Sequence, residues 1–242
     1  MSSPLLLVLD AFARACEARD HHRLRAALMV KLAAASGLVR EQGGHASDRE
    51  DDMGKLIAFE WMSLNEVFDA DTMNEWWVPY DNSDRQHCIQ DVYLHTDAFL
   101  MGRVTYEMLA PHWSQLADEE QGGVAGKLNH AQKYVVSGRP LATPWQNSVV
   151  ISGHGEDVKA AIEKVKDEQA ETVIIGSGML VTSLMQASLI DEYKFLITPI
   201  IAGRGKRLFA DNVPTGLRLI TTRELDQGVL FLHYQRSDTR QL

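Results

Sequence analysis

The segment Thr-Val-Ile-Ile-Gly-Ser-Gly-Met-Leu-Val (172–181) is a β-branched run that stops at Gly176-Ser177-Gly178 and resumes as a helix-like stretch ending near Ala187. A strand that enters a glycine turn and then a helix leaves unpaired backbone N–H groups at the helix start, a ready seat for a phosphate. Three more turns have the same make-up: Gly102-Arg103-Val104-Thr105, Ser137-Gly138-Arg139 and Ser152-Gly153-His154-Gly155. Each follows a strand-like run and supplies small residues, hydroxyls or arginine, the groups that a dinucleotide with a pyrophosphate and a third phosphate requires. Glycine between strand and helix also serves close packing, so the weight lies on the four turns together.

These turns need elements to hold them. From Met53 the pattern predicts strands over 55–62, 97–101, 133–137, 148–152 and 172–175. Helices are predicted over 83–94, 105–110, 124–132 and 156–167 between them. Strands alternating with helices imply a largely parallel sheet covered on both faces, with ligands outside the carboxyl ends of the strands. Three further strands, 192–198, 217–225 and 229–234, have no helix between them and predict an antiparallel edge, with Gln227-Gly228 as a hairpin turn and Pro199 closing the first. The common dinucleotide fingerprint is missing: after the first strand stands Met62-Ser63-Leu64-Asn65-Glu66, with no G-x-G-x-x-G and no acidic ribose ligand at the expected distance. Arginines beside the turns, in place of that acid, favour a 2′-phosphate and hence NADPH over NADH.

Residues 1–52 stand apart. They are rich in Ala, Leu and Arg with helical spacing, and end in a polar stretch from Glu41 to Asp52, predicting a helical extension and linker ahead of an α/β domain at 53–242. The apolar run from Pro4 to Leu9 is too short to span a bilayer and lacks the flanks of a signal peptide, so a cytoplasmic protein without a membrane partner is expected. The formal charge of −9 argues against nucleic acid, though not against an anionic ligand bound by a few placed groups. Two cysteines and nine scattered histidines offer no metal-ligand spacing, and no metal is predicted.

Taken in order, the stretches Leu-Ile-Ala-Phe-Glu-Trp-Met-Ser-Leu (56–64), Leu-Met-Gly-Arg-Val-Thr-Tyr-Glu (100–107), Lys-Tyr-Val-Val-Ser (133–137), Ile-Ile-Gly-Ser-Gly (174–178) and Gly-Arg-Gly-Lys-Arg-Leu-Phe (203–209) resemble the dihydrofolate-reductase-like family. More closely, they are similar to stand-alone relatives of the C-terminal reductase domain of the bacterial riboflavin-biosynthesis deaminase/reductase. The resemblance implies a three-layer α/β fold with a mixed, mainly parallel sheet and antiparallel C-terminal strands, acting as a cytoplasmic homodimer. It also implies an NADPH-dependent reductase of a pteridine- or aminopyrimidine-type ring, similar to 5-amino-6-(5-phosphoribosylamino)uracil reductase or dihydrofolate reductase. By position, Gly102, Arg103 and Thr105 would contact cofactor phosphates, and Ser137 and Arg139 the 2′-phosphate side. Gly176, Ser177, Gly178 and Met179 would contact the pyrophosphate and nicotinamide ribose, while Ser152 belongs to the fourth turn of the same row.

The substrate side departs from the family's Ser-Leu-Asp-Gly, with Asn65 and Glu66 in the last two places. An asparagine positions a ring but cannot donate a proton as an acid does, which leaves Glu66 as the candidate acid. Trp76 or Trp77 matches the tryptophan expected to flank the substrate ring, and Trp113 is placed to wall the same pocket; a core role is the competing reading for all three. Leu180 and Leu184 are expected in the core. The rival functions are a non-catalytic NADPH-binding sensor and a structural homodimer.

Overall fold

The structure, a computed structural model, describes residues 54–209 and 214–237; the predicted extension and linker at 1–52 lie outside the described residues. Eight strands form one sheet: β1 (Lys55–Ser63), β2 (Ala98–Gly102), β3 (Gln132–Val136), β4 (Ser148–Ile151), β5 (Glu171–Ile175), β6 (Glu192–Thr198), β7 (Gly216–Glu224) and β8 (Leu230–Ser237). Their order is β4-β3-β2-β5-β1-β6-β8-β7. The first six are mutually parallel, and β8 runs antiparallel to both β6 and β7, as the segment order predicts.

Alternation along the central strand assigns the two faces. Ile57 and Phe59 join one apolar cluster, and Leu56, Ala58 and Met62 the other, as period-2 geometry requires for a strand buried on both sides. The first face is covered by α1 (Ser83–His95), α2 (Arg103–Trp113) and α3 (Val124–His130), through Ile89, Tyr106, Leu128 and their neighbours. The second is covered by α4 (Glu156–Glu168) and α5 (Gly178–Gln186), through Ile162, Val165, Leu180 and Leu184. Three layers result.

Local signals start and stop these elements. Asn82 caps α1 by accepting from the Arg85 N–H at 2.9 Å. The buried Lys133 ammonium donates to the carbonyls of Leu128, Asn129 and Ala131, closing the C-terminal end of α3 where a helix favours positive charge. Helix α2 runs three residues past its predicted end: it passes through Pro111 to Trp113. Proline forfeits one intrahelical bond there, and burial of Ala110 and Trp113 offsets it. The turn of helix at Met73–Trp76 was not foreseen, being a single turn with no period to read.

Candidate functional site

All parallel strands point their carboxyl ends to one edge, so the sheet order sets the order of the turns along it. Ser152 follows β4, Ser137-Gly138-Arg139 follows β3, Gly102 ends β2, Gly176-Ser177-Gly178 follows β5, and Leu64-Asn65-Glu66 follows β1. With strands about 4.8 Å apart, the row from β4 to β5 spans about 14 Å. Strands β2 and β5 are neighbours, yet β2 leads into α2 on one face and β5 into α5 on the other. The crevice between them is a topological switch point, where open α/β sheets bind ligands.

Two helices therefore begin side by side, and their N-terminal ends share the crevice. The turn that starts α5 is left-handed twice over, at Gly176 (φ 55°) and at Ser177 (φ 66°, ψ 62°). A β-carbon on Gly176 would lie 3.3 Å from the Thr105 side chain, so glycine there serves both the backbone shape and the close approach. Ser177 is held across the crevice: its Oγ accepts the Gly102 N–H at 2.7 Å and shares a hydrogen bond with the Thr105 hydroxyl at 2.7 Å. Gly102, Thr105, Gly176 and Ser177 thus meet as one cluster, although their two segments lie more than seventy residues apart.

The other cofactor candidates take varied roles. Ser137 Oγ donates to the Arg139 carbonyl and accepts the Arg139 N–H, a local turn that leaves the Arg139 side chain exposed. Arg103 pairs with Glu107 one helical turn on, at 2.5 Å, so its charge is answered within α2. Ser152 is exposed, and Met179 is 89% exposed at the first turn of α5. Leu64, Val104 and Ile201 are also strongly exposed. With Met179, they place four large apolar side chains just beyond the ends of β1, β2, β5 and β6, along the edge that carries the glycine turns.

Beside β1 the chain is tightly bound to itself. Asn65 Oδ1 accepts from the Ser63 hydroxyl and the Ala202 N–H, both at 2.8 Å, while its Nδ2 donates to the Ala202 carbonyl at 2.9 Å. The side chain that stands where an acid was expected behaves as a peptide unit pairing with another. Glu66 is exposed, in a left-handed conformation (φ 67°) that suits the glycine of the family pattern. Trp76, Trp77 and Trp113 are all buried in the core. Trp77 is stacked between Trp61 (4.5 Å, 7° between planes) and the Arg85 guanidinium (3.8 Å), and Arg85 is fixed by the Trp77 carbonyl and by Asp81. Burial pulls the Arg85 pKa down to about 10 despite Asp81 beside it.

Two residues of β1 carry signals that hydrophobic periodicity passed over. Trp61, only partly buried, is the tryptophan nearest to the carboxyl end of the strand, and its indole N–H has no partner. Glu60 is a glutamate inside a central strand, 1% exposed. A charged residue in an apolar run was the available clue.

Among the described residues no cluster of His, Cys, Asp and Glu could hold a metal ion, and no helix is long and apolar enough to cross a membrane. A cleft of about 650 Å³ lined by Asp84, His87, Cys88, Asp91 and Arg223–Leu225 involves none of the turns. Burial pushes its Cys88 thiol up to about 11.

The mixed, mainly parallel sheet, its antiparallel last strands and the three layers are those of the dihydrofolate-reductase-like architecture. The family model described as the RibD C-terminal domain matches residues 54–231, and the chain belongs to that family. YyaP of Bacillus subtilis strain 168 is 22% identical over 177 residues, 69% of this chain and 93% of its own length. RibD of Acinetobacter baumannii superposes with a TM-score of 0.58 at 14% identity, covering 77% of this chain and 59% of that one. A pyrimidine reductase-like protein of Corynebacterium diphtheriae does so with a TM-score of 0.55 at 14% identity, covering 76% and 92%. These structural likenesses are likenesses of fold.

Proposed function

We propose that the chain is an NADPH-dependent reductase of a planar pteridine- or aminopyrimidine-type ring. The observation that carries this reading is the pair of helix N-termini that open onto the β2/β5 crevice, bridged by the Ser177 contacts to Gly102 and Thr105. Unpaired N–H groups and two helix dipoles favour an anion there, and Gly176 leaves the turn no side chain to obstruct it. Family membership and the likeness to a pyrimidine reductase-like protein support the same class of reaction.

In this reading the starts of α2 and α5 hold the pyrophosphate, while Arg139, exposed beyond β3, and Arg103 meet the 2′-phosphate, with Ser137 and Ser152 along the row. Bound NADPH supplies the hydride. Leu64, Met179 and Ile201 exclude water from the acceptor ring, and Glu66 is the acid within reach of solvent. Proximity and exclusion of water are what a hydride transfer needs from the protein.

The same reading includes a homodimer, supported by β7: it closes one side of the sheet, and Leu217, Leu219 and Ile220 on it are exposed. Sedimentation of the protein at micromolar concentration checks it, a monomer being the adverse result. A non-catalytic NADPH sensor is the second reading, favoured by one fact: Asn65 spends its side-chain groups on Ser63 and Ala202.

Titration with NADPH and NADH by tryptophan quenching, followed by turnover assays with pterins and aminouracils, separates these readings. Micromolar NADPH binding with turnover supports the reductase, binding without turnover the sensor, and no binding removes both. Arg139→Ala is expected to weaken NADPH about tenfold and NADH hardly at all; equal losses would contradict the 2′-phosphate role.

A further inference from the structure

The side of the sheet opposite β7 carries its own exposed apolar surface. Strand β4 closes that side and pairs with β3 alone; its Val149 is 49% and its Val150 41% exposed, on an edge where proteins commonly place charge or a cover. Val149 stands opposite Tyr134 and on the same face as Ile151, the face that α4 covers. With Ala161 and Val165 of α4 these side chains line a cleft of about 360 Å³, at whose rim Lys164 pairs with Glu168 at 3.6 Å. An apolar floor between a strand edge and a helix is the shape that accepts the apolar face of a further helix.

The described chain begins against the same helix. The Gly54 N–H donates to the Lys166 carbonyl at 2.8 Å, and a β-carbon on Gly54 would collide with the Gln169 carbonyl oxygen, 1.7 Å away. The Gln169 side-chain amide donates in turn to the Tyr134 hydroxyl at 3.4 Å. The chain thus enters the domain one side chain away from the groove. Ahead of it in the sequence, Leu24, Leu28, Leu32 and Ala35 have the spacing of one helical face. As a helix, residues 24–38 would be about 22 Å long, close to the roughly 20 Å of α4. Arg23, Arg25, Lys31 and Arg40 fall in this stretch with no acid between them, whereas the last turns of α4 expose Glu163, Asp167 and Glu168. Residues 39–53, when extended, reach up to about 50 Å, ample for the path from Gly54 back to the cleft.

We propose that residues 24–38 dock as a helix in this groove, alongside α4, and complete the second helical layer over β3 and β4. The leucine stripe meets Val149, Tyr134 and Ile151, and the basic residues meet the acids of α4. Because the segment is tethered, a weak intrinsic affinity suffices to keep it seated. The inference stands apart from the reductase reading and survives or fails without it.

The test uses the full chain and compares wild type, Val149→Gln in the groove and Leu28→Gln on the stripe by limited trypsin cleavage and methyl NMR. In wild type, cleavage after Arg25 and Lys31 should be at least about tenfold slower than after Arg49 in the polar stretch, and the Leu28 methyls should show through-space contacts to Val149 or Ile151. Either variant should speed cleavage after Lys31 about tenfold, and the double variant should be no faster than the singles. Equal cleavage at Lys31 and Arg49 in wild type overturns the inference, as does slow cleavage that Val149→Gln leaves unchanged. Protection that grows as protein concentration is raised roughly a hundredfold gives the groove to a second copy and overturns docking within one chain. Should Val149→Gln fail to fold, Leu28→Gln decides: shifted Val149 and Ile151 methyl signals support docking, and unmoved signals refute it.

Discussion

The two ends of the same parallel strands are built on opposite plans. At the amino end, Glu192 of β6 accepts from Lys55 at 2.8 Å and from His233 at 2.7 Å, Lys166 pairs with Asp191, and Lys194 with Glu171. The backbone is drawn in as well: the Leu56 N–H donates to Asp191 and the Glu171 N–H to Asp97. At the carboxyl end, across β2 and β5, the Arg103–Glu107 pair stays within α2, and the turns between the strands are held by neutral hydroxyls and carry left-handed residues and exposed apolar side chains. One edge satisfies its charges internally and fastens the sheet. The other leaves helix ends and apolar surface for something else to satisfy. If the proposed function holds, the amino end can be weakened without touching binding, whereas a change at the carboxyl end is felt in binding as well as in stability.

The largest test of that division is Glu192→Gln, which takes the shared carboxylate from Lys55 and His233. A loss of about 2 kcal/mol is expected, seen as a fall in Tm of roughly 5 °C, with NADPH affinity unchanged. The hydrogen bond from His233, then the Lys55 ammonium, holds the Glu192 pKa at about 2. Because this lies below the unfolded value near 4.5, its contribution is complete above pH ~4.5 and is lost as pH falls toward 2. Acid titration of stability should therefore show a shallower decline over that window in Glu192→Gln than in wild type.

Next in size is Ser177→Ala at the opposite end. Removing the acceptor of the Gly102 N–H should cost about 1–1.5 kcal/mol and, unlike the first variant, weaken NADPH about fivefold by titration. Unaltered binding would mean that the crevice is not the seat. The smallest effect expected is a gain: Glu66→Gly relieves a left-handed conformation in an exposed residue and should stabilise by about 1 kcal/mol in denaturant titration. If Glu66 is the proton donor, that variant also loses turnover while keeping NADPH; full turnover would assign the proton to water.

Much of this was legible before any coordinates. The strands and helices have strong periods, and their boundaries fell within a few residues, because 2.0 and 3.6 repeats are imposed by burial on a face. The glycine turns were legible as a set because parallel strands align their ends. Contacts between distant segments were not. Asn65 looked like a substrate group because its partner, the Ala202 backbone, lies 137 residues away. The spacing of Trp76 and Trp77 fits a pocket wall as well as a core, and the Trp61–Trp77–Arg85 stack places Trp77 inside. Glu60 sat within a run read for its apolar neighbours, so its polar group went unweighed.

The pairing of Asn65 with Ala202 has company. Val67 bridges Arg207, the Phe68 N–H donates to the Lys206 carbonyl, the Leu208 N–H to the Glu66 carbonyl and the Lys206 N–H to Asp69, while Arg204 meets Glu75. The loop after β1 and the loop after β6 are therefore one mechanical part made from two distant stretches of gene. Grafting a relative's first loop alone would import half of a lock, so a loop exchange calls for residues 63–75 and 199–209 to be transplanted together.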